Sequence, residues 1–301
     1  MKSSILAIAK QEIRIARTER LQILLLAIFV GMVFLSSFIG WSAHHTVMNV
    51  YTETVRQGAT AVANPFANQP QLELLKNTVI YIVLIGALLA ILIGVRSSLH
   101  DRKAGVIDII LSRPLSMRQY IAGKILGVQI TVASILLITG VISWLGISIV
   151  LAHPLGLVST VAILKFYLTA WLFLFPFSIL GMVFGACSCR ETTALLIPIL
   201  IWVLFAFVIP QLGTAEHPSA LLNPVPAQAA SQGEFFSFNR SILQPISITD
   251  RFKSASGAIL QFSDATGPAA YDWAALTGIA VASCFLVLFI TPKAMRRELY
   301  E

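Results

Sequence analysis

Charge is what this sequence has least of. Only 12% of its 301 residues are Asp, Glu, Lys or Arg, where a soluble domain carries about 25%. That shortage excludes an ordinary soluble globular domain, whose surface needs charge to stay hydrated. Cysteine is scarce as well. Cys187, Cys189 and Cys284 sit in or at the ends of apolar runs, so no disulfide framework is expected. Inside the apolar runs ionisable side chains are almost absent. Lys165 lies near the start of one run, where its stem can snorkel. This counts against a proton pump or ion relay, which needs buried carboxylates or histidines along its path. There is no Gly-x-Ser-x-Gly, no His-Glu-x-x-His and no acid pair within a run. An intramembrane protease or lipid transferase, the main rival class, would need such groups at depth. No internal repeat stands out, so an inverted-repeat transporter finds no support.

What is present is apolar. Hydrophobic residues make up 57% of the chain and the mean hydropathy is +0.83. A helix needs roughly 20 apolar residues to cross the hydrocarbon core. Six runs qualify: 21–41, 78–95, 125–151, 161–187, 194–212 and 273–291. The second is short, and Leu72 to Asn77 and Arg96 to Leu99 can extend it at both ends. The expected fold is an all-α membrane protein with six spans in one transmembrane domain over 1–301. Its connecting segments are a loop at 96–124, a tight turn at 188–193 and longer outer segments at 42–77 and 213–272.

Orientation follows from Lys and Arg. An even number of spans puts both termini on one side. Fifteen of the 21 basic residues, from Lys2 through Arg118 and Lys124 to Arg297, fall on that side. Both termini are therefore expected in the cytosol. The formal charge of +7 reflects this bias and attraction to anionic lipid, and gives no argument for nucleic acid. The first apolar run exceeds a signal-peptide core of about 7–15 residues, so it reads as a retained anchor.

Residues 1–20 carry Ile5, Ile8, Ala9, Ile13 and Ala16 at helical spacing, with Lys10, Arg14 and Arg17 opposite. The pattern predicts a helix lying in the membrane surface; a plain basic flank before the first span is the simpler alternative. His44-His45 suggests a metal pair, but neighbouring residues face different ways, and surface polarity explains them better. Cys187-x-Cys189 lacks two further ligands for a metal site. Asn239-Arg240-Ser241 matches a glycosylation acceptor, a triplet common by chance. Gln129, Thr131, Ser134 and Thr139 in the third run read as helix-packing polar residues. Tyr271 and Trp273 stand where an interfacial aromatic belt should begin the last run.

The loop 96–124 is the most informative segment. Asp101 is placed to cap a short helix, and Val106, Ile109 and Ile110 recur at helical spacing on it. Pro114 disfavours the α region for Arg113, so this helix should stop near Ser112. Ser116 with Gln119 is a capping-box signature for the next helix. The apolar face of the short helix suits a groove on a soluble partner, and equally suits lipid or the protein's own helices.

The residues Asp101-Arg102-Lys103-x-Gly105, Ile110-Leu111-Ser112-x-Pro114 and Ser116-x-x-x-Tyr120-x-x-Gly123-Lys124 resemble the loop after the second span of type-2 ABC transporter permeases. Cys189-Arg190-Glu191-Thr192-Thr193-Ala194, with Trp202 and Pro210 downstream, resembles that family's tight turn and fifth span. The pattern is closest in feel to the branch of the nitrous-oxide reductase maturation permease. Asp101 stands where Glu is commoner, Val106 where Thr is commoner, and the last outer segment is long.

The resemblance implies a permease homodimer in a bacterial or archaeal inner membrane, served by two copies of a separate ABC ATPase subunit. The chain has no Gly-x-x-x-x-Gly-Lys-Ser/Thr phosphate loop, so ATP and Mg are expected on the partner and no cofactor on this chain. The implied coupling residues are Asp101, Arg102, Lys103, Gly105, Val106, Ile109, Ile110, Arg113 and Pro114, with Arg190 and Glu191 in the second turn. An extracytoplasmic partner and contact with membrane lipid also fit. A non-transporting membrane anchor of an assembly complex is the second rival; a neighbouring gene with a phosphate loop would favour the transporter.

Overall fold

The structure is a computed structural model. It describes residues 2–18, 20–57, 71–103, 116–151, 153–188, 190–210, 234–243, 246–262 and 269–298. Helix accounts for nearly all of them, and no strand occurs among the described residues. The helices in chain order are α1 (Lys2–Thr18), α2 (Arg20–Arg56), α3 (Lys76–Tyr81), α4 (Ala87–Lys103), α5 (Met117–Val150), α6 (Leu157–Cys187), α7 (Glu191–Val203), α8 (Glu234–Leu243), α9 (Ile248–Leu260) and α10 (Ala269–Glu298).

Six helical stretches are long and apolar enough to cross a bilayer: Ile23–Arg56, Leu72–His100, Met117–Val150, Leu157–Cys187, Glu191–Val208 and Ala270–Leu288. They coincide with the six apolar runs. Most reach further than the runs because a helix ends at a stop signal and not where hydrophobicity fades. Residues 42–56 continue α2 without Gly or Pro, so the first 15 residues of the expected outer segment are helical. The second span extends at both ends, as its flanks predict.

That second span is not uniform. A 3-10 turn, Gln71–Leu75, leads into α3, and a π turn, Ile82–Gly86, joins α3 to α4. The fifth span likewise passes from α7 into a π turn, Leu204–Val208. Single π turns inside α-helices recur at functional positions. Each lies roughly 15–25 Å along its helix from the 96–124 end.

Spans two and four form the interior, while spans one, five and six turn most side chains outward. Small residues set the closest approach. A Cβ on Gly94 of α4 would sit 2.9 Å from Met182 N, and one on Gly185 of α6 would sit 2.7 Å from Val95 O. Glycine lets the two backbones meet, and association in lipid rests on such packing. Ser98 Oγ adds a bond to Met182 O at 2.9 Å.

The long segment after span five does not stay outside the bundle. Helix α9 buries Ile248, Phe252, Ala255 and Leu260. Phe252 stacks on Phe173 of α6 with ring centroids 4.5 Å apart. Ser247 caps α9 by accepting from Asp250 N at 3.2 Å. Gln261, with φ 58°, ends it in the left-handed conformation. Asn239-Arg240-Ser241 lies on α8 and not in a loop.

Candidate functional site

The site is the end of the bundle from which the 96–124 connection leaves and returns. Residues 104–115 lie outside the described residues, and with them Gly105, Val106, Ile109, Ile110, Arg113 and Pro114. Their role is untouched by the coordinates. Asp101, Arg102 and Lys103 are described by backbone alone, as the last turn of α4. Asp101 therefore does not start a separate helix. The sequence from Leu99 to Lys103 holds no Gly or Pro, so the span's helix simply runs on.

The return is as the sequence predicts. Ser116 caps α5: its Oγ accepts from Gln119 N at 3.4 Å, and its own N–H donates to Gln119 Oε1 at 3.3 Å. This reciprocal pairing satisfies two donors that a helix start otherwise leaves open.

Between these two flanks lies a buried ionic cluster. Lys124 of α5 is 3% exposed and Glu12 of α1 is 6% exposed. Lys124 Nζ stands 2.8 Å from Glu12 Oε1. Ser97 Oγ of α4 donates to Glu12 Oε2 at 2.8 Å. Lys124 Nζ also donates to Ser97 O, and reaches Ser97 Oγ at 3.4 Å. The ammonium lies 5.6 Å from the centroid of the Tyr120 ring, within cation–π range. An ammonium and a carboxylate out of water are tolerable only when paired and further hydrogen-bonded, and this cluster supplies both.

Backbone proximity makes it possible. A Cβ on Gly127 would lie 2.6 Å from Glu12 Cβ, and one on Gly123 would lie 2.9 Å from Ile8 Cβ. The sequence Gly123-Lys124-Ile125-Leu126-Gly127 is thus a groove in α5, and α1 lies in it with Ala9 and Glu12 buried. A helix is present over Lys2–Thr18 where the sequence predicts one, and its buried stripe rests on protein.

A second contact ties in the tight turn. Arg96 Nη1 of α4 lies 3.2 Å from Glu191 Oε1 in the first turn of α7. The side chains are 27% and 37% exposed. Arg190 precedes α7 as its N-cap residue and is exposed; Cys189 lies outside the described residues. Arg96 and Ser97, adjacent in sequence, thus hold α7 on one side and α1 with α5 on the other.

Farther from this end, several bonds between helices are neutral. Trp202 Nε1 of α7 donates to Val83 O in the π turn of span two at 3.0 Å. Thr249 Oγ1 of α9 donates to Phe205 O in the π turn of span five at 3.0 Å. Gln129 Nε2 donates to Ser178 Oγ at 2.7 Å, joining α5 and α6. Thr131, Ser134 and Thr139 bond instead to carbonyls of their own helix. Trp273 Nε1 donates to Thr169 Oγ1 at 2.6 Å, so this belt residue faces a neighbour. Arg251 Nη1 pairs with Asp272 Oδ1 at 3.1 Å and lies over the Tyr271 ring. Among the described residues no three His, Cys, Asp or Glu side chains are placed to hold a metal.

Sequence reasoning missed Glu12 and misjudged Lys124. Lys124 reads as one more flanking cation of the positive-inside set. Glu12 carries a signal all the same: it falls on the stripe of Ile5, Ile8, Ala9 and Ala16, where a charge is out of place.

Six apolar helices around a glycine-packed interior define a polytopic integral membrane protein. The chain belongs to the ABC-2 family of transporter proteins, whose pattern it matches over residues 6–292. Comparison with curated proteins gave no match. The family match is not resolved to a branch.

Proposed function

We propose that this chain is the permease subunit of an ATP-binding-cassette transporter, driven by separate ATPase subunits that dock on the loop 96–124. One observation supports the reading most: in a member of this family, the flanks of that loop are braced by Ser97, Lys124 and Glu12 in a buried network. A segment that only joins two spans needs no such bracing. A segment that takes load from a partner does.

The remaining features follow from that reading. Both termini lie in the cytosol, where most Lys and Arg cluster. The whole of 1–301 acts as one permease domain in a bacterial or archaeal inner membrane. The loop 96–124 carries the coupling segment, whose Val106, Ile109 and Ile110 enter a groove on the ATPase. Asp101, Arg102, Lys103, Gly105, Arg113 and Pro114 shape its rim and ends, and Arg190 and Glu191 form the second contact. ATP and Mg bind the partner, two copies per permease homodimer, and the outward faces of spans one and five meet the second permease copy or lipid. ATP-driven closure of the ATPase pair shifts the spans between inward- and outward-open states through differential binding. The system exports its cargo or transmits force to an extracytoplasmic partner.

The test is co-purification with a candidate ABC ATPase subunit, followed by ATP turnover. Wild type should retain the ATPase and stimulate it. Ile109→Asp puts a charge on the docking face and should lose the ATPase while the permease stays inserted. Retention at normal affinity would end the docking role of this loop.

A further inference from the structure

We infer that Glu12 is a positioning residue for energy coupling, and that α1 is a working part of the docking end and not merely a membrane-surface anchor. The inference rests on the reading of 96–124 as the ATPase dock.

Three observations carry it. First, the placement of Glu12 has no use in a helix that only lies on lipid. Its stripe neighbours Ile5, Ile8, Ala9 and Ala16 are apolar, and a carboxylate among them would resist insertion into the acyl boundary. Second, its two oxygens reach the two flanks of the loop separately. Oε1 meets Lys124 on the returning flank, and Oε2 meets Ser97 on the departing flank. Third, α5 is shaped to admit it: Gly123 and Gly127 stand one turn apart on either side of the Lys124 position, where any larger residue would push α1 away.

These contacts fix the separation of α4 and α5 at the foot of the loop. Without them Lys124 would lose its counter-charge, and the two flanks could shift independently. A push on the loop would then be absorbed at its base instead of passing into spans two and three. Glu12 touches neither nucleotide nor cargo; it acts through Lys124 and Ser97.

The experiment uses the full permease with its ATPase in lipid nanodiscs and reads permease-stimulated ATP turnover beside the amount of ATPase bound. Glu12→Gln keeps the side-chain volume and removes the charge. The expected result is normal ATPase binding with stimulated turnover reduced by about tenfold, within the range of measured coupling energies. The charge swap Glu12→Lys with Lys124→Glu restores the ion pair but not the Lys124 bond to Ser97 O, and should recover part of the loss, which a purely structural defect elsewhere would not. Gly127→Leu leaves both charges in place but displaces α1, and should reproduce the loss. It also serves if Glu12→Gln fails to insert, because α1 lies at the edge of the bundle.

Turnover within twofold of wild type in both Glu12→Gln and Gly127→Leu would overturn the positioning role and leave the permease reading standing. A loss that the charge swap does not recover would overturn the part played by the ion pair. If wild-type permease neither binds nor stimulates the ATPase, the permease reading fails and this inference with it.

Discussion

Arg96 and Ser97 are neighbours at the foot of span two, yet they hold the protein in different ways. Ser97 joins a cluster sealed from water, in which Glu12 and Lys124 are 6% and 3% exposed. Arg96 reaches Glu191 in a contact that water shares, the side chains being 27% and 37% exposed. The first has no cheap alternative. Separating the charges would strand each in a poor solvent. The second can open, because water and salt replace each partner at little cost. The two contacts therefore divide this end of the bundle. Helix α1 and spans two and three are joined by contacts sealed from water, whereas span five is joined to span two by an ion pair that water reaches. The π turns extend the contrast. Span five meets span two again through a neutral bond, Trp202 to Val83.

The largest expected effect comes from breaking the sealed cluster. Lys124→Ala leaves Glu12 buried without its ammonium, and should lower stability by about 3–5 kcal/mol. Thermal unfolding of the purified protein would show it; a loss below about 1 kcal/mol would mean that water reaches the cluster. The neutral link should matter less. Trp202→Phe keeps the ring and deletes the donor, at a cost of about 1 kcal/mol. Hydrogen exchange should then quicken at Ile82–Gly86 before it quickens in α4 or α6. Uniform quickening would mean that this bond does not divide the bundle. The smallest effect belongs to the open pair. Glu191→Gln should change stability by under about 1 kcal/mol, and raised salt should erase even that. A salt-independent loss as large as that of Lys124→Ala would collapse the distinction between the two contacts.

Much of this was legible in the chain. The six apolar runs located the spans, since crossing hydrocarbon leaves few options besides a continuous helix. Ser116 and Gln119 announced their capping box because that geometry is local. The residues around Gly123-Lys124 and Arg190-Glu191 marked the family. The burial of Lys124 was not legible, because a lysine at a span's edge has the same local pattern whether it snorkels or finds a buried acid. Glu12 was visible as an irregularity in a stripe, but its partner lies 112 positions away. The π turns were also hidden. Ile82–Gly86 and Leu204–Val208 have side chains that fit an ordinary α-helix as well, and tertiary bonds to Val83 O and Phe205 O accompany the altered register. Helix α9 could be expected only as part of an outer segment; the stacking of Phe252 on Phe173 decided that it packs on the bundle.

The sequence by itself determined which helices are long and apolar enough to cross, roughly where each begins, and the family they belong to. These follow from hydrophobicity and short-range backbone chemistry, which each segment carries alone. Only the tertiary structure decided which charges are sealed and which stay open to water. That choice depends on how the helices are rotated against one another and on how closely Gly123 and Gly127 let α1 approach, and no single helix contains that information.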